Sequence, residues 1–99
     1  MYSDICETVR ERDRGFCLLC RLEGRRIQGI EVHHIVPRGK CVGQWWYMRQ
    51  DERNLTLLCA KHHHPSPSRE EAKAMLTWMR TRYGYEYDEV PFRRVLEEM

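Results

Sequence analysis

Two short stretches carry most of the information in this chain: HHIVPR at residues 33–38 and NLTLLCAKHHH at residues 54–64. Each joins a strand-like apolar run to side chains that bind metal ions or accept protons. The pattern predicts a strand that ends in a histidine pair, and a second strand that leads into a helix bearing histidines. Because adjacent residues of a strand point to opposite sides, we do not expect His33 and His34 to bind the same ion.

Four residues have the spacing of a structural zinc site. Cys17 and Cys20 form a C-x-x-C pair, and Cys59 and His62 form a C-x-x-H pair after an interval of 38 residues. Two ligands separated by two residues are easily aimed at one ion, and three thiolates with one imidazole make a closed, four-coordinate zinc set. A chain of 99 residues has a small core, so we expect the zinc to staple the fold.

The number of cysteines and the hydropathy of the chain limit the classes of protein to which it can belong. The five cysteines cannot all pair as disulfides, whereas zinc binding leaves Cys6 and Cys41 free. No apolar run reaches membrane-spanning length, and the charged residues before Gly15 do not resemble a secretion signal. The sequence therefore predicts one domain over residues 1–99, in the cytoplasm and without a membrane partner.

Charge alone says little about a nucleic-acid partner, because the net charge is only +2. Basic residues do gather around the metal motifs, and two interpretations stay open for them. They either neutralise phosphates or are solvated surface charges. The residues concerned are Arg21, Arg25, Arg26, Arg38 and Lys40.

Local patterns predict the remaining elements. A capping box of Ser68 and Glu71, followed by apolar residues at helical spacing, makes 69–82 the clearest helix. The other predicted elements are a helix over 3–13, a strand over 27–36, a long loop over 37–53, a strand over 54–58, and helices over 59–64 and 91–99. In the loop, Trp45 and Trp46 either fill the core or anchor the loop, or they contact nucleic acid by stacking on bases or entering a groove.

The motifs resemble those of the HNH nuclease family. The family signature is a His pair or Asp-His before a Pro, then an Asn in an Asn-Leu-x-x-Leu-Cys segment, then a His on the following helix. The chain has these in order as His33, His34, Pro37, Asn54, Leu55, Leu58, Cys59 and His63. The resemblance covers residues 17–64 and implies an α+β fold. This fold is a small ββα-metal, treble-clef-like HNH core with flanking helices, stapled by the Cys3His zinc site.

The same resemblance implies a metal-dependent DNA endonuclease that hydrolyses phosphodiester bonds, by nicking or by double-strand cleavage. His34 matches the general base, and His33 and His63 match ligands of one divalent ion, which is Mg²⁺, Mn²⁺, Ni²⁺ or Zn²⁺. Asn54 matches the family Asn, which either ligates the ion or holds the loop and base in place. Helix neighbours are rotated by about 100°, so His62 is expected to face the structural zinc and His63 the second ion.

Some family members carry a further ligand His four residues after the His63 position, where this chain has Pro67. The ion site is therefore expected to be sparse. His64 has no counterpart, and it is expected to be either a solvent-exposed histidine or a group that supports a metal ligand. Arg38 and Lys40 are expected to bind DNA largely without regard to sequence. Small bacterial and phage members suggest, by analogy, a packaging or other DNA-processing partner.

Two other classes compete with this interpretation. A non-catalytic treble-clef zinc module that binds nucleic acid or protein needs only Cys17, Cys20, Cys59 and His62. It leaves His33, His34, Asn54 and His63 unexplained. A disulfide-linked secreted domain conflicts with the odd number of cysteines.

Overall fold

Two antiparallel strands lie, in the sequence, between the C-x-x-C pair and the C-x-x-H pair. Strand β1 spans Glu31–His34 and strand β2 spans Leu55–Leu58, with His33 opposite Thr56 and His34 opposite Leu55. The computed structural model describes residues 2–99, so of the expected 1–99 domain only Met1 lies outside the described residues. Both predicted strands are present, and they pair with each other.

Strand β1 is shorter than the predicted 27–36. The Ile27 carbonyl accepts a hydrogen bond from Cys17 N, and Gly29 N donates one to the Gly15 carbonyl, both at 2.8 Å. Residues 27–29 are therefore tied to the segment that begins the zinc motif, and pairing with β2 begins only at Ile30, whose N–H donates to the Leu58 carbonyl at 2.8 Å. Gly29 also allows a close approach, because a Cβ at this position would collide with the side chain of Leu57.

Within the described residues, five α-helices surround the strands: α1 (Tyr2–Arg12), α2 (Leu18–Leu22), α3 (Ala60–His63), α4 (Arg69–Tyr83) and α5 (Val90–Glu97). The predicted capping box is present, with Ser68 and Glu71 each bonded to the other's backbone N–H. Helix α3 is shorter than the predicted 59–64, since Cys59 and His64 are its caps in extended conformation. None of the helices within residues 2–99 is long and apolar enough to cross a membrane.

The predicted loop over 37–53 is instead a series of 3₁₀ helices, over Arg38–Lys40, Gly43–Gln50 and Glu52–Asn54. Residues three apart share a face of a 3₁₀ helix. In the middle segment, Trp45 packs against the core and Met48 is fully buried. Trp46 lies on another face and is 51% exposed. Trp45 therefore contributes to the core, which is one of the roles expected for it, whereas Trp46 does not.

The core joins the zinc motifs to the carboxyl-terminal helices. Its members from α4 and α5 repeat at helical spacing and pack with Leu18 and Leu58. They are Ala72, Met75, Leu76, Met79, Phe92, Val95 and Leu96. The apolar stripe of α4 is therefore a core face.

A buried ion pair fastens α1 to β2. Arg12 and Asp13 have side chains only 3% and 1% exposed, with Nε and Oδ1 2.8 Å apart. Arg12 also donates to the carbonyl oxygen of Leu55 at 2.7 Å, and Asp13 accepts from Leu57 N at 3.0 Å. Because both charges are satisfied by backbone as well as by each other, the pair fixes α1 against the strand.

Candidate metal centres and active site

The three cysteines and the histidine of the predicted zinc set converge on one point. Their ligand atoms all lie within 4.8 Å of one another. His62 Nδ1 is 3.5 Å from Cys17 Sγ, 3.3 Å from Cys20 Sγ and 3.4 Å from Cys59 Sγ. Ligands of a tetrahedral zinc are about 3.5–3.8 Å apart, so the donor set and its spacing fit a metal ion.

Burial makes it unfavourable to ionise the thiols of this cluster without a bound cation. Burial and the neighbouring thiols of Cys17 and Cys59 raise the pKa of Cys20 to about 12. Against the effect of burial, hydrogen bonds from His62 hold the pKa of Cys59 at about 7. The Cys59 thiolate is therefore favoured and the Cys20 thiolate is strongly opposed, unless a bound metal neutralises its charge.

His62 is oriented from behind by a carboxylate that the motif does not include. Its Nε2 lies 3.3 Å from Glu23 Oε2, while its Nδ1 faces the thiols. A metal-binding histidine commonly donates its other ring N–H to such a group, which fixes the tautomer. Glu23 is thus positioned to keep the Nδ1 lone pair free for a metal.

His34 lies at the end of β1 and is held by the 43–50 segment. Its Nε2 is 3.0 Å from the Arg49 carbonyl oxygen, which can only accept, so Nε2 carries the proton and Nδ1 has a free lone pair. The Tyr2 ring stacks on the imidazole, with centroids 6.0 Å apart and planes at 2°. Burial, together with the charge of Arg38, lowers the pKa of His34. The neutral, proton-accepting form is therefore favoured.

His33 points to the other side of β1, as predicted, and meets α3 there. Its ring lies 5.5 Å from that of His63, edge to face. Burial lowers the pKa of His33 to about 4, and the charges of His63 and His34 add to the effect. His33 is thus a neutral imidazole, which is the form that binds metal ions.

His63 is the centre of a second group of ligand atoms. Its Nδ1 lies 2.5 Å from Glu31 Oε2 and 3.1 Å from His64 Nε2. These three residues form a cluster whose geometry could hold a metal ion. The consecutive His62 and His63 therefore serve two different clusters, in agreement with the rotation expected along a helix.

Asn54 is committed to the backbone. Its Oδ1 accepts from Val36 N at 2.7 Å, and its Nδ2 donates to the carbonyl oxygens of Val36 and Met48, both at 3.1 Å. The side chain is fully buried. Of the two roles left open for Asn54, these contacts match the one in which it holds the loop.

Comparison with protein families identifies this arrangement. The model of an HNH endonuclease family matches residues 17–65, a range that contains both clusters, His34 and Asn54. The chain belongs to the HNH endonuclease family. No curated protein and no solved structure matched the chain. Family membership indicates nuclease-type activity on a nucleic acid.

The HNH core is flanked by a basic and aromatic surface on the His34 side. Tyr2, Arg38, Trp46, Arg49 and Gln50 line a cleft of about 180 Å³. The Arg49 guanidinium lies 5.2 Å from the centroid of the Trp46 ring. Arg38 and the neighbouring Lys40 are both exposed. Positive charge and an exposed aromatic ring are thus placed beside the histidine pair.

Sequence reasoning missed several groups around the HNH motif. Glu23 contacts His62 because α3 lies beside the C-x-x-C segment, and Glu31 contacts His63 because α3 lies over the start of β1. His64 approaches Glu31 from the end of the same helix. Glu31 had one signal in the sequence, since it lies two residues before His33 and so on the same face of β1. Glu23 and His64 had none.

Proposed function

We propose that this protein is a metal-dependent endonuclease that hydrolyses phosphodiester bonds of DNA. In this proposal His34 is the general base and His33 and His63 hold one divalent ion. Asn54 positions the loop, and Cys17, Cys20, Cys59 and His62 hold a structural zinc. The whole of residues 1–99 acts as one domain.

The observation that carries the proposal is the hydrogen bond from His34 Nε2 to the Arg49 carbonyl oxygen, at 3.0 Å. It fixes the tautomer in which Nδ1 can take a proton from water. Burial favours the neutral ring by lowering the pKa of His34, so the base is ready near neutral pH. A zinc-binding module without catalysis has no use for a histidine prepared in this way.

His33 and His63 supply the second half of the proposed site. Both are histidines of the HNH motif, and their rings lie 5.5 Å apart on the α3 side of β1. A divalent ion bound there would supply positive charge for the phosphate and for the departing oxygen. His33 and His34 are the last two residues of β1 and point to its opposite sides. A phosphodiester lying across this end of the strand would therefore contact both histidines.

Substrate binding is proposed for the surface beside His34. Arg38 and Lys40 would contact phosphates, and Trp46 and Arg49 extend the same surface. Phosphate contacts carry no sequence information, so the isolated protein should bind DNA largely without sequence preference. Action beside a packaging or other DNA-processing protein stays a prediction.

The test is cleavage of supercoiled plasmid by zinc-loaded protein with Mg²⁺, Mn²⁺, Co²⁺ or Ni²⁺ added in turn. His34→Ala should keep zinc, DNA binding and binding of the second ion, yet lose cleavage by roughly 10²–10⁴-fold. His33→Ala, the matched change at the neighbouring residue, should instead lose activity that higher ion concentration partly restores.

Two outcomes would change the assignment. If His33→Ala behaves as the loss of a base and His34→Ala cleaves like the parent, the two roles are reversed. If the parent cuts no DNA with any of these ions, the protein is a zinc module of the non-catalytic class.

A further inference from the structure

We propose that Glu31 and His64 complete, together with His63, a three-ligand site for the second divalent ion. The inference rests on the proposed nuclease function, because it concerns the ion of that same site. It adds Glu31 and His64, which the motif does not contain, to the motif ligands His33 and His63 of the sparse site.

The distances among the three ligand atoms fit one ion. His63 Nδ1 lies 2.5 Å from Glu31 Oε2 and 3.1 Å from His64 Nε2, and the last two atoms are 4.0 Å apart. These are the sides of a nearly right-angled triangle, so one point lies about 2.0 Å from all three corners. Zinc binds nitrogen and carboxylate oxygen at about 2.0–2.2 Å.

The backbone explains why His64 joins the site. In a continued helix, His64 would be rotated by about 100° from His63 and would point away. Helix α3 ends at His63, however, and His64 adopts an extended conformation with φ −129° and ψ 112°. The ring returns to the side of His63, with centroids 4.4 Å apart.

Glu31 reaches the site from the sheet. It begins β1 and lies on the same face as His33, two residues further along. The Glu31 and His64 side chains are 47% and 74% exposed, so an ion and its remaining ligands can approach from solvent. These three ligands leave other positions open for the motif ligand His33 and for water or a phosphate oxygen, in a shell of five or six ligands.

The donor set also predicts which ions bind. Mg²⁺ prefers oxygen ligands in a nearly octahedral shell, whereas imidazole suits Zn²⁺, Ni²⁺ and Co²⁺. We therefore expect the site to prefer transition metals to Mg²⁺. His64 takes the place of the helical histidine that Pro67 removes.

The competing interpretation is that Glu31 only accepts a hydrogen bond from His63 and that His64 is a bystander. Glu31→Gln keeps the size and an acceptor oxygen for His63 but removes the negative charge. His64→Ala removes a mostly exposed ring and should leave the fold intact. Glu97→Gln is the matched control, since Glu97 is exposed on α5 and pairs only loosely with Lys73, at 3.9 Å.

Zinc-loaded full-length protein is titrated with Mn²⁺ and Co²⁺ by calorimetry, in the absence of DNA. Glu31→Gln and His64→Ala should each weaken binding about tenfold or more, the size expected for the loss of a group at a metal site, and Glu97→Gln should bind like the parent. Pulsed electron paramagnetic resonance on bound Cu²⁺ should detect one fewer coordinated imidazole in His64→Ala than in the parent.

The failures are distinguishable. If Glu31→Gln or His64→Ala binds the ion like the parent while His63→Ala loses it, the three-ligand site is overturned and the proposed nuclease function stands. If the parent binds no second ion, or if His33→Ala and His63→Ala both bind it like the parent, the ion site of the proposed function is itself wrong.

Discussion

Asn54 and Val36 exchange two hydrogen bonds, in which the Asn54 amide accepts from Val36 N at 2.7 Å and donates to Val36 O at 3.1 Å. The Asn54 amide thus bonds to both backbone groups of Val36, as a neighbouring strand would, just beyond the end of β1. It fixes the position of the chain that leaves the histidine pair, and Met48 O extends the hold to the 43–50 segment.

Asn54→Asp should therefore destabilise the protein. The change keeps the acceptor but replaces the donor with an oxygen that faces two buried carbonyls. We expect a loss of about 1–3 kcal/mol or more in the free energy of unfolding, measured with urea. Gln44→Glu, the same chemical change at an exposed position, should cost less than about 0.5 kcal/mol. Unchanged stability with tighter binding of divalent ions would instead make Asn54 a ligand.

The Cys3His cluster predicts one tightly bound zinc per chain. Cys59→Ser should lose the metal and unfold much of the protein, because the free energy of zinc binding is also free energy of folding. Elemental analysis and circular dichroism measure the two effects, and a strong chelator should reproduce them in the parent. Cys6→Ser, at a half-buried thiol outside the cluster, should retain zinc. A folded parent without zinc would contradict the assignment.

DNA binding should depend on salt and on Arg38. Arg38→Ala should weaken binding to unrelated DNA duplexes by similar factors and reduce the slope of log affinity against log salt by about 1, as expected for one phosphate contact. Fluorescence anisotropy over a salt series measures this. Arg94→Ala, an exposed arginine on α5, is the control. A strong preference for one short sequence that survives Arg38→Ala would count against this surface.

Much of the fold could be predicted because its signals are local. The helix at Ser68 has a capping box, and the spacing of Cys17, Cys20, Cys59 and His62 is enough to define a closed ligand set. The 3₁₀ segment around Met48 could not be predicted, since its only signal is a residue pair three apart in a stretch rich in glycine and aromatic residues.

The second ion site was predicted only in part, because its ligands depend on tertiary placement. His33 and His63 stand in the motif, whereas Glu31 is one exposed carboxylate among many in the sequence. Its meeting with His63 requires α3 to lie over the start of β1. His64 depends on where α3 ends, and helix ends are poorly determined by sequence.

The pair of Arg12 and Asp13 predicts that α1 is part of the stable unit, although the family match begins only at Cys17. Asp13→Ala leaves the buried Arg12 guanidinium without its carboxylate, and we expect a loss of about 3–5 kcal/mol in the free energy of unfolding. Glu11→Ala, exposed on the same helix, should change it by less than about 0.5 kcal/mol.

A double-mutant cycle separates the pair from the helix. Arg12→Leu with Asp13→Ala should cost less than the sum of the single changes, because no unpaired charge remains. If Asp13→Ala unfolds at the same urea concentration as the parent, α1 does not contribute to the stability of the folded unit.

Helix α3 has only four residues, yet its phase aims one histidine at the thiols and the next at Glu31. One residue inserted between Cys59 and His62 would turn both rings by about 100° relative to the cysteine that anchors them. Both ion sites would be lost in a single event, whereas an insertion in the surface segment around Gly43 would spare them. The number of residues from Cys59 to His64 is therefore fixed by the two ion sites together.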